Sequence, residues 1–89
     1  MLADLVEHVI GVDPDRDRIT AAVVAARTEA EIARSEFPAT ASGYRQVIEW
    51  ANEHSTTESR VWSVEGTGRY GAGLTATLNH EAEWVIEFD

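Results

Sequence analysis

Five short stretches of apolar or β-branched residues alternate with polar turns along the chain. Each has the length and the flanking turn residues that are typical of a β-strand. They span residues 5–13, 19–25, 31–37, 60–65 and 82–88. The third stretch has the weakest pattern, and Pro38 ends it because proline lacks the amide donor of a regular strand.

Two helices are predicted between the later strands. In the first, apolar residues recur at the i, i+3, i+4 and i+7 spacing of a single helix face. These residues are Tyr44, Val47, Ile48 and Ala51. Thr40 or Ser42 is the expected N-cap, and the helix is expected to end near His54. The apolar positions of the second helix, which follows a glycine-rich turn, are Tyr70, Leu74 and Leu78.

The element order βββαβαβ predicts how the strands pair. The first three strands form an antiparallel meander, and each helix then provides a right-handed crossover that lays the next strand parallel to the first. The predicted class is α/β, a mixed five-stranded sheet in the order 3-2-1-4-5 with both helices on one face. This is the ribonuclease H-like arrangement. The candidates for the covered or the uncovered face are Ile10, Val12, Ala22 and Val24.

The length of 89 residues indicates one domain, which we expect to span residues 1–89. The hydrophobic fraction of 44% and the charged fraction of 26% are ordinary for a folded protein. The sequence has no Cys, which excludes disulfides, thiolate metal sites and cysteine nucleophiles. No apolar run approaches the ~20 residues that span a membrane, and because the first residues have no basic flank and no long apolar stretch, we do not expect them to be a secretory signal. We therefore expect a soluble cytoplasmic protein.

The charge of the chain is strongly negative. Seven Arg and no Lys stand against sixteen acidic residues, which gives a net charge of −9. Because phosphate binding needs clustered basic side chains, we do not expect the domain to bind nucleic acid through charge alone. If it acts on DNA, bound cations or other protein must supply the positive charge.

Two acidic residues, Asp13 and Glu65, end the first and fourth predicted strands. In the predicted order these strands are parallel neighbours, so both carboxylates emerge at the sheet edge where open α/β sheets place their sites. Two close carboxylates repel each other unless a proton or a cation lies between them. Their oxygen atoms are hard ligands that suit Mg²⁺ or Mn²⁺. These ions assist the cleavage of phosphodiesters. Alternatively, each acid only caps a turn or a helix. Asp15 and Asp17 in the next turn are expected to be solvated, although either could approach the same metal.

Glycines after Glu65 follow the pattern of a dinucleotide-binding fingerprint. Residues 66–71 read GTGRYG between a predicted strand and a predicted helix, and Asp89 ends the next strand. A dinucleotide-binding module is therefore an alternative function. Against it, a βββα pattern precedes the motif, and Glu65 would place a carboxylate beside the pyrophosphate. The glycines alternatively permit only a tight turn, and a non-catalytic acidic interaction domain is a third alternative.

Three stretches of the chain carry a family resemblance: VIGVDPDRDRITAAVV, FPATASGYRQVIEWA and RVWSVEGTGRYGAGLTATL. They resemble the amino-terminal domain of DEDD-type insertion-sequence transposases, which are RuvC-like recombinases associated with a guiding bridge RNA. The resemblance covers nearly the whole chain. It implies that Asp13 and Glu65 are the first two metal ligands of a Mg²⁺-dependent domain for DNA strand cleavage and exchange, with DNA and a guide RNA as partners. The residues expected near phosphate in the intact enzyme are Gly66, Thr67, Gly68 and Arg69, and Tyr70 is expected in the core.

The chain also departs from this family. Asp15 and Arg16 stand where the family has a His–Lys pair. The family's third and fourth acids lie on a helix after the fifth strand, and its nucleophilic Ser lies in a separate domain. We therefore expect a fragment that binds Mg²⁺ or Mn²⁺ weakly and does not cleave DNA alone. The uncovered sheet face should expose an apolar patch, so we also expect a homo-oligomer.

Overall fold

The described residues form a mixed five-stranded sheet and two α-helices. The computed structural model describes residues 2–66 and 70–88. The strands are β1 (His8–Pro14), β2 (Arg18–Ala25), β3 (Glu31–Pro38), β4 (Arg60–Glu65) and β5 (Val85–Phe88), and the helices are α1 (Ala41–Asn52) and α2 (Ala72–His80). The sheet order is β3-β2-β1-β4-β5, in which β1 pairs antiparallel with β2 and parallel with β4. The predicted α/β class and sheet order are confirmed.

Three elements, β1, α2 and β5, begin later than the sequence pattern predicts. β1 begins at His8 rather than at residue 5, because Leu2–Asp4 forms a 3₁₀ turn and Leu5 is largely exposed. α2 begins at Ala72, so Tyr70 precedes the helix and is 37% exposed. The prediction that Tyr70 belongs to the core is therefore wrong, since apolar spacing alone does not locate the first turn of a helix.

The fifth strand begins at Val85 instead of residue 82, because the residues before it close α2. Ala82 has a φ of 60°, in the left-handed region. The amide of Glu83 donates to the Leu78 carbonyl at 2.9 Å, and the amide of Ala82 donates to the Asn79 carbonyl at 3.1 Å. These two bonds make a Schellman motif, which usually has Gly where this chain has Ala. The backbone used in this cap is not available to the strand ladder.

A threonine cap fixes the start of α1. The side-chain oxygen of Thr40 accepts the amide of Gly43 at 3.0 Å, so Thr40 rather than Ser42 is the N-cap. The helix ends at Asn52, slightly before the predicted end near His54. Within the described ranges, neither α-helix has the length and apolar character needed to cross a membrane.

Both helices pack on one face of the sheet. A single cluster of buried apolar residues draws on β1, β2, β4, α1 and α2. Its members are Ile10, Val12, Ile19, Ala21, Val23, Val47, Ala51, Trp62, Val64, Leu74 and Leu78. Because side chains alternate across a strand, Ala22 and Val24 lie on the opposite face from Ile10 and Val12. Self-association through that opposite face stays a prediction.

A buried ion pair joins Arg60 of β4 to Glu83 in the loop before β5. Nε and Nη2 of Arg60 donate to the two carboxylate oxygens of Glu83 at 3.1 and 2.7 Å. The indole N–H of Trp62 donates to the same carboxylate at 2.7 Å, and Nη1 of Arg60 donates to the Ser55 hydroxyl at 3.2 Å. The Arg60 and Glu83 side chains are 0% and 3% exposed. The pair therefore depends on these contacts rather than on water, and it fixes the start of β4 to the end of α2.

Candidate functional site

Asp13 and Glu65 lie at the carboxyl ends of neighbouring parallel strands. Val12 of β1 pairs with Val64 of β4, and the next residue of each strand is one of the two acids. Both acids are exposed, and both line one cavity of about 360 Å³, the carboxylate cavity, on the sheet face that the helices leave open. The chain leaves β1 toward β2 and leaves β4 toward β5 on the other side. The cavity therefore lies at a topological switch point, where open α/β sheets bind ligands.

Small residues form the floor of the carboxylate cavity. These are Ala22 of β2 and Gly11 of β1, which pair with each other. Arg34 of β3 pairs with Ala22 on one side, and Ser63 of β4 pairs with Gly11 on the other. A Cβ added to Gly11 would have no atom within 4 Å. Thr20, Ser63 and Arg34 line the sides of the cavity. The carboxylate cavity is therefore open above the sheet, and we also call it the basin. It has carboxylates where β1 and β4 end and a guanidinium on the β3 side.

Glu31 holds the Arg34 side chain on this face of β3. Nε and Nη2 of Arg34 donate to Oε1 of Glu31 at 3.1 and 2.5 Å. Residues three apart lie on opposite faces of a regular strand, but β3 has a bulge, since Val24 pairs with Glu31 and Val23 pairs with Ala33. The extra residue lets Glu31 and Arg34 share a face. The hydrogen bonds from Arg34 lower the pKa of Glu31, and those same bonds raise the pKa of Arg34.

Replacing Arg34 with Gln should raise the pKa of the Glu31 carboxyl toward its ordinary value, because the hydrogen bonds that lower this pKa are lost. In the unaltered chain the lowered pKa means that the ion pair is intact above the ordinary pKa of Glu and is lost as the pH falls through the lowered pKa. NMR titration of the Glu31 carboxyl measures the change. Arg45→Gln, which removes an exposed Arg from α1, should leave this titration unaltered. An equal pKa in the Arg34→Gln variant and the parent would contradict the pairing.

The oxygen atoms around the cavity match the ligands of a hard divalent cation. Asp13 and Glu65 provide carboxylates, and Thr20 and Ser63 provide hydroxyls. Mg²⁺ usually keeps several waters and is often bound through one or two carboxylates. Across residues 2–66 and 70–88, no group of three or more His, Asp or Glu side chains is placed to hold a metal ion. The residues that could hold a hard divalent cation in this cavity are therefore Asp13, Glu65, Thr20 and Ser63.

Asp15 and Asp17 lie apart from this donor set. Both are exposed in the turn between β1 and β2, and they line a separate cavity with Arg16, Arg18 and Tyr70. The carboxylate of Asp15 accepts the amide of Arg16 at 2.8 Å, and the carboxylate of Asp17 accepts from Nη2 of Arg16 at 3.3 Å. These bonds hold both acids within the turn, away from the carboxylate cavity.

Gly66 turns the chain out of β4 toward α2. Its φ is 65°, in the left-handed region that favours glycine, and its carbonyl accepts the amide of Gly71 at 3.0 Å. The other residues predicted to lie near phosphate are outside the described ranges, as is Asp89. They are Thr67, Gly68 and Arg69. The tight turn alone accounts for glycine at position 66.

No protein-family model matches this chain, and no curated protein matches it. The carboxylate cavity and the sequence motifs around it are therefore the basis for assigning a function.

The neighbours of the two acids in the cavity were not found from the sequence. Ser63 could have been found, because it lies two residues before Glu65 in a strand and so shares its face. To place Thr20 in the cavity, one must know the register of the β1–β2 hairpin, in which it pairs with Asp13. To place Arg34 there, one must also know how β3 pairs with β2, which no pattern of apolar residues specifies.

Proposed function

We propose that this chain is the amino-terminal, RuvC-like domain of a DEDD-type transposase, and that it contributes Asp13 and Glu65 to a Mg²⁺-dependent site for DNA strand cleavage and exchange. The observation that carries this proposal is the single cavity lined by both carboxylates at the ends of β1 and β4. In the GVDP and VEGTGRYG motifs, the same two acids match the first and second metal ligands of the family.

The arrangement of the sheet supports a ribonuclease H-like fold for this domain. Three antiparallel strands are followed by two helix–strand crossovers, and both helices pack on one face. The central strand, β1, carries Asp13 beside the end of β4. Because one fold hosts many functions, the proposal depends on the paired carboxylates and not on the strand order alone.

The negative charge of the chain supports a role for a bound cation in this cavity. With a net charge of −9, the protein repels phosphate unless positive charge is supplied locally. A bound divalent cation supplies that charge and stabilises the negative charge that develops on phosphodiester oxygens during cleavage. Asp13 and Glu65 would hold the cation, and Thr20 and Ser63 contribute hydroxyl oxygens to the same cavity. The remaining acids and the nucleophilic Ser of the family would have to act together with this domain.

Titration of the 89-residue chain with Mn²⁺ tests the proposal. The paramagnetic ion should broaden the NMR signals of residues around Asp13 and Glu65 before any others. Asp13→Asn removes one of the two carboxylates and should weaken the affinity by about tenfold or more, which corresponds to ~1.4 kcal/mol. Calorimetric titration with Mg²⁺ measures the same difference.

Asp15→Asn is the matched control for this titration. It makes the same change of charge and shape in the adjoining turn, outside the carboxylate cavity. Its affinity for Mn²⁺ should stay within about twofold of the parent, a difference of less than ~0.5 kcal/mol. Broadening spread evenly over the acidic surface, or equal losses in the two variants, would show that Asp13 holds no specific cation.

A further inference from the structure

The guanidinium of Arg34 faces the same cavity as the two carboxylates. Of the described residues that line this cavity, Arg34 alone is basic. It pairs with Ala22, which pairs with Gly11, so its Cα lies two strand spacings from β1, about 10 Å across the sheet. The two residues between are too small to fill the space above the sheet. An anion in the basin can therefore contact the guanidinium on one side while its other side faces Asp13 and Glu65.

Glu31 orients this guanidinium without using all of its donors. A guanidinium has five N–H groups. Two of the nitrogens, Nε and Nη2, donate to a single oxygen of Glu31, and within the described part of the chain Nη1 has no hydrogen-bond partner. The Arg34 side chain is 59% exposed, so its remaining donors are accessible from the basin. The bulge in β3 serves this arrangement, because it brings Glu31 to the same face as Arg34.

We propose that Arg34, positioned by Glu31, binds the phosphate group of a phosphodiester that enters the carboxylate cavity. This proposal rests on the proposed function, since Asp13 and Glu65 need a cation between them before a phosphate can approach. The planar fork of Arg matches two phosphate oxygens, and charged hydrogen bonds of this kind are stronger than neutral ones. In a chain with a net charge of −9, Arg34 supplies the positive charge on the side of the basin away from the cation.

NMR titration of the 89-residue chain with dimethyl phosphate, the simplest phosphodiester, tests this role in the presence of Mg²⁺. The Nε–Hε signal of Arg34 should shift as the phosphodiester is added. Arg34→Gln should weaken the affinity about tenfold, the effect of one charge-assisted hydrogen bond. Arg45→Gln also removes one positive charge, but from α1, and should change the affinity by less than about twofold.

A second variant tests the basin itself. Gly11→Val fills open space at the floor of the cavity and should weaken phosphodiester binding. Because Val favours a strand, thermal unfolding should show that this variant is at least as stable as the parent. Equal phosphodiester affinities in Arg34→Gln and Arg45→Gln would overturn the role of Arg34, even if Mg²⁺ still shifts signals around Asp13 and Glu65. If Mg²⁺ alone shifts no signals there, the proposed function fails first, and the two failures are thus distinguishable.

Discussion

Glu83→Gln should lower the free energy of unfolding by about 3–5 kcal/mol, the usual effect of removing one partner from a buried ion pair. The substitution keeps the shape of the side chain but removes the charge that faces Arg60. Arg60 is fully buried, so water cannot replace the lost carboxylate. The indole of Trp62 also loses a charged acceptor. Urea denaturation followed by circular dichroism measures the loss, with the slope of the transition as a check that the folded state is unchanged.

Two further variants separate the buried pair from a general effect of charge. Glu81→Gln makes the same chemical change at an exposed position shortly before Glu83 in the chain and should alter stability by less than about 0.5 kcal/mol. The double variant Arg60→Met/Glu83→Leu removes both charges and should recover much of the stability lost by the single variant, since the desolvation cost disappears with them. A loss below about 1 kcal/mol in Glu83→Gln would mean that the pair does not hold β4 and the α2 cap together.

Gly43→Ala should destabilise the protein by about 2 kcal/mol, although Ala favours a helix by up to about 1 kcal/mol relative to Gly. A Cβ at this position would run into the backbone carbonyl oxygen of Pro38, which cannot rotate away as a side chain can. The helix would have to move away from the end of β3. That movement would also strain the cap bond from the Gly43 amide to Thr40.

Gly73→Ala is the matched control, because Gly73 lies in the first turn of α2 as Gly43 lies in that of α1. There the added Cβ would meet the Tyr44 hydroxyl oxygen at 2.9 Å and the ring atoms Cε2 and Cζ at 3.1 and 3.3 Å, all of them side-chain atoms. The half-buried Tyr44 ring has to shift slightly, which offsets part of the helix propensity of Ala, so stability should stay within about 1 kcal/mol of the parent. Thermal unfolding of both variants measures the contrast. Equal melting temperatures would show that the contact with Pro38 is looser than described.

The strand order could be predicted from sequence because local signals and chain connectivity agree. Short turns between the first three strands leave little choice but a meander, and the handedness of crossovers then fixes where β4 and β5 lie. The ends of elements were harder to predict. Ala82 takes a left-handed conformation that usually marks a glycine, so the close of α2 has no sequence signal and the fifth strand was predicted too early.

The residues of the candidate site show the same difference between those that local signals predict and those that depend on the fold. The shared position of Asp13 and Glu65 could be predicted because each ends an apolar strand, and parallel neighbours end at the same edge. Arg34 was missed because its place depends on two strand registers and a bulge. Arg60 and Glu83 were missed because each looks like an ordinary surface charge until the fold brings them together across more than twenty residues of chain.

A glycine in the middle of the central strand has a cost that folding alone does not justify. Glycine weakens a strand interior by roughly 0.5–1 kcal/mol relative to Ala, and a Cβ at Gly11 would have no atom within 4 Å. Selection for stability alone would therefore favour a β-branched residue there. Gly11 keeps the space above the strand open and lowers stability. Proteins accept such a loss of stability where another molecule must approach the backbone.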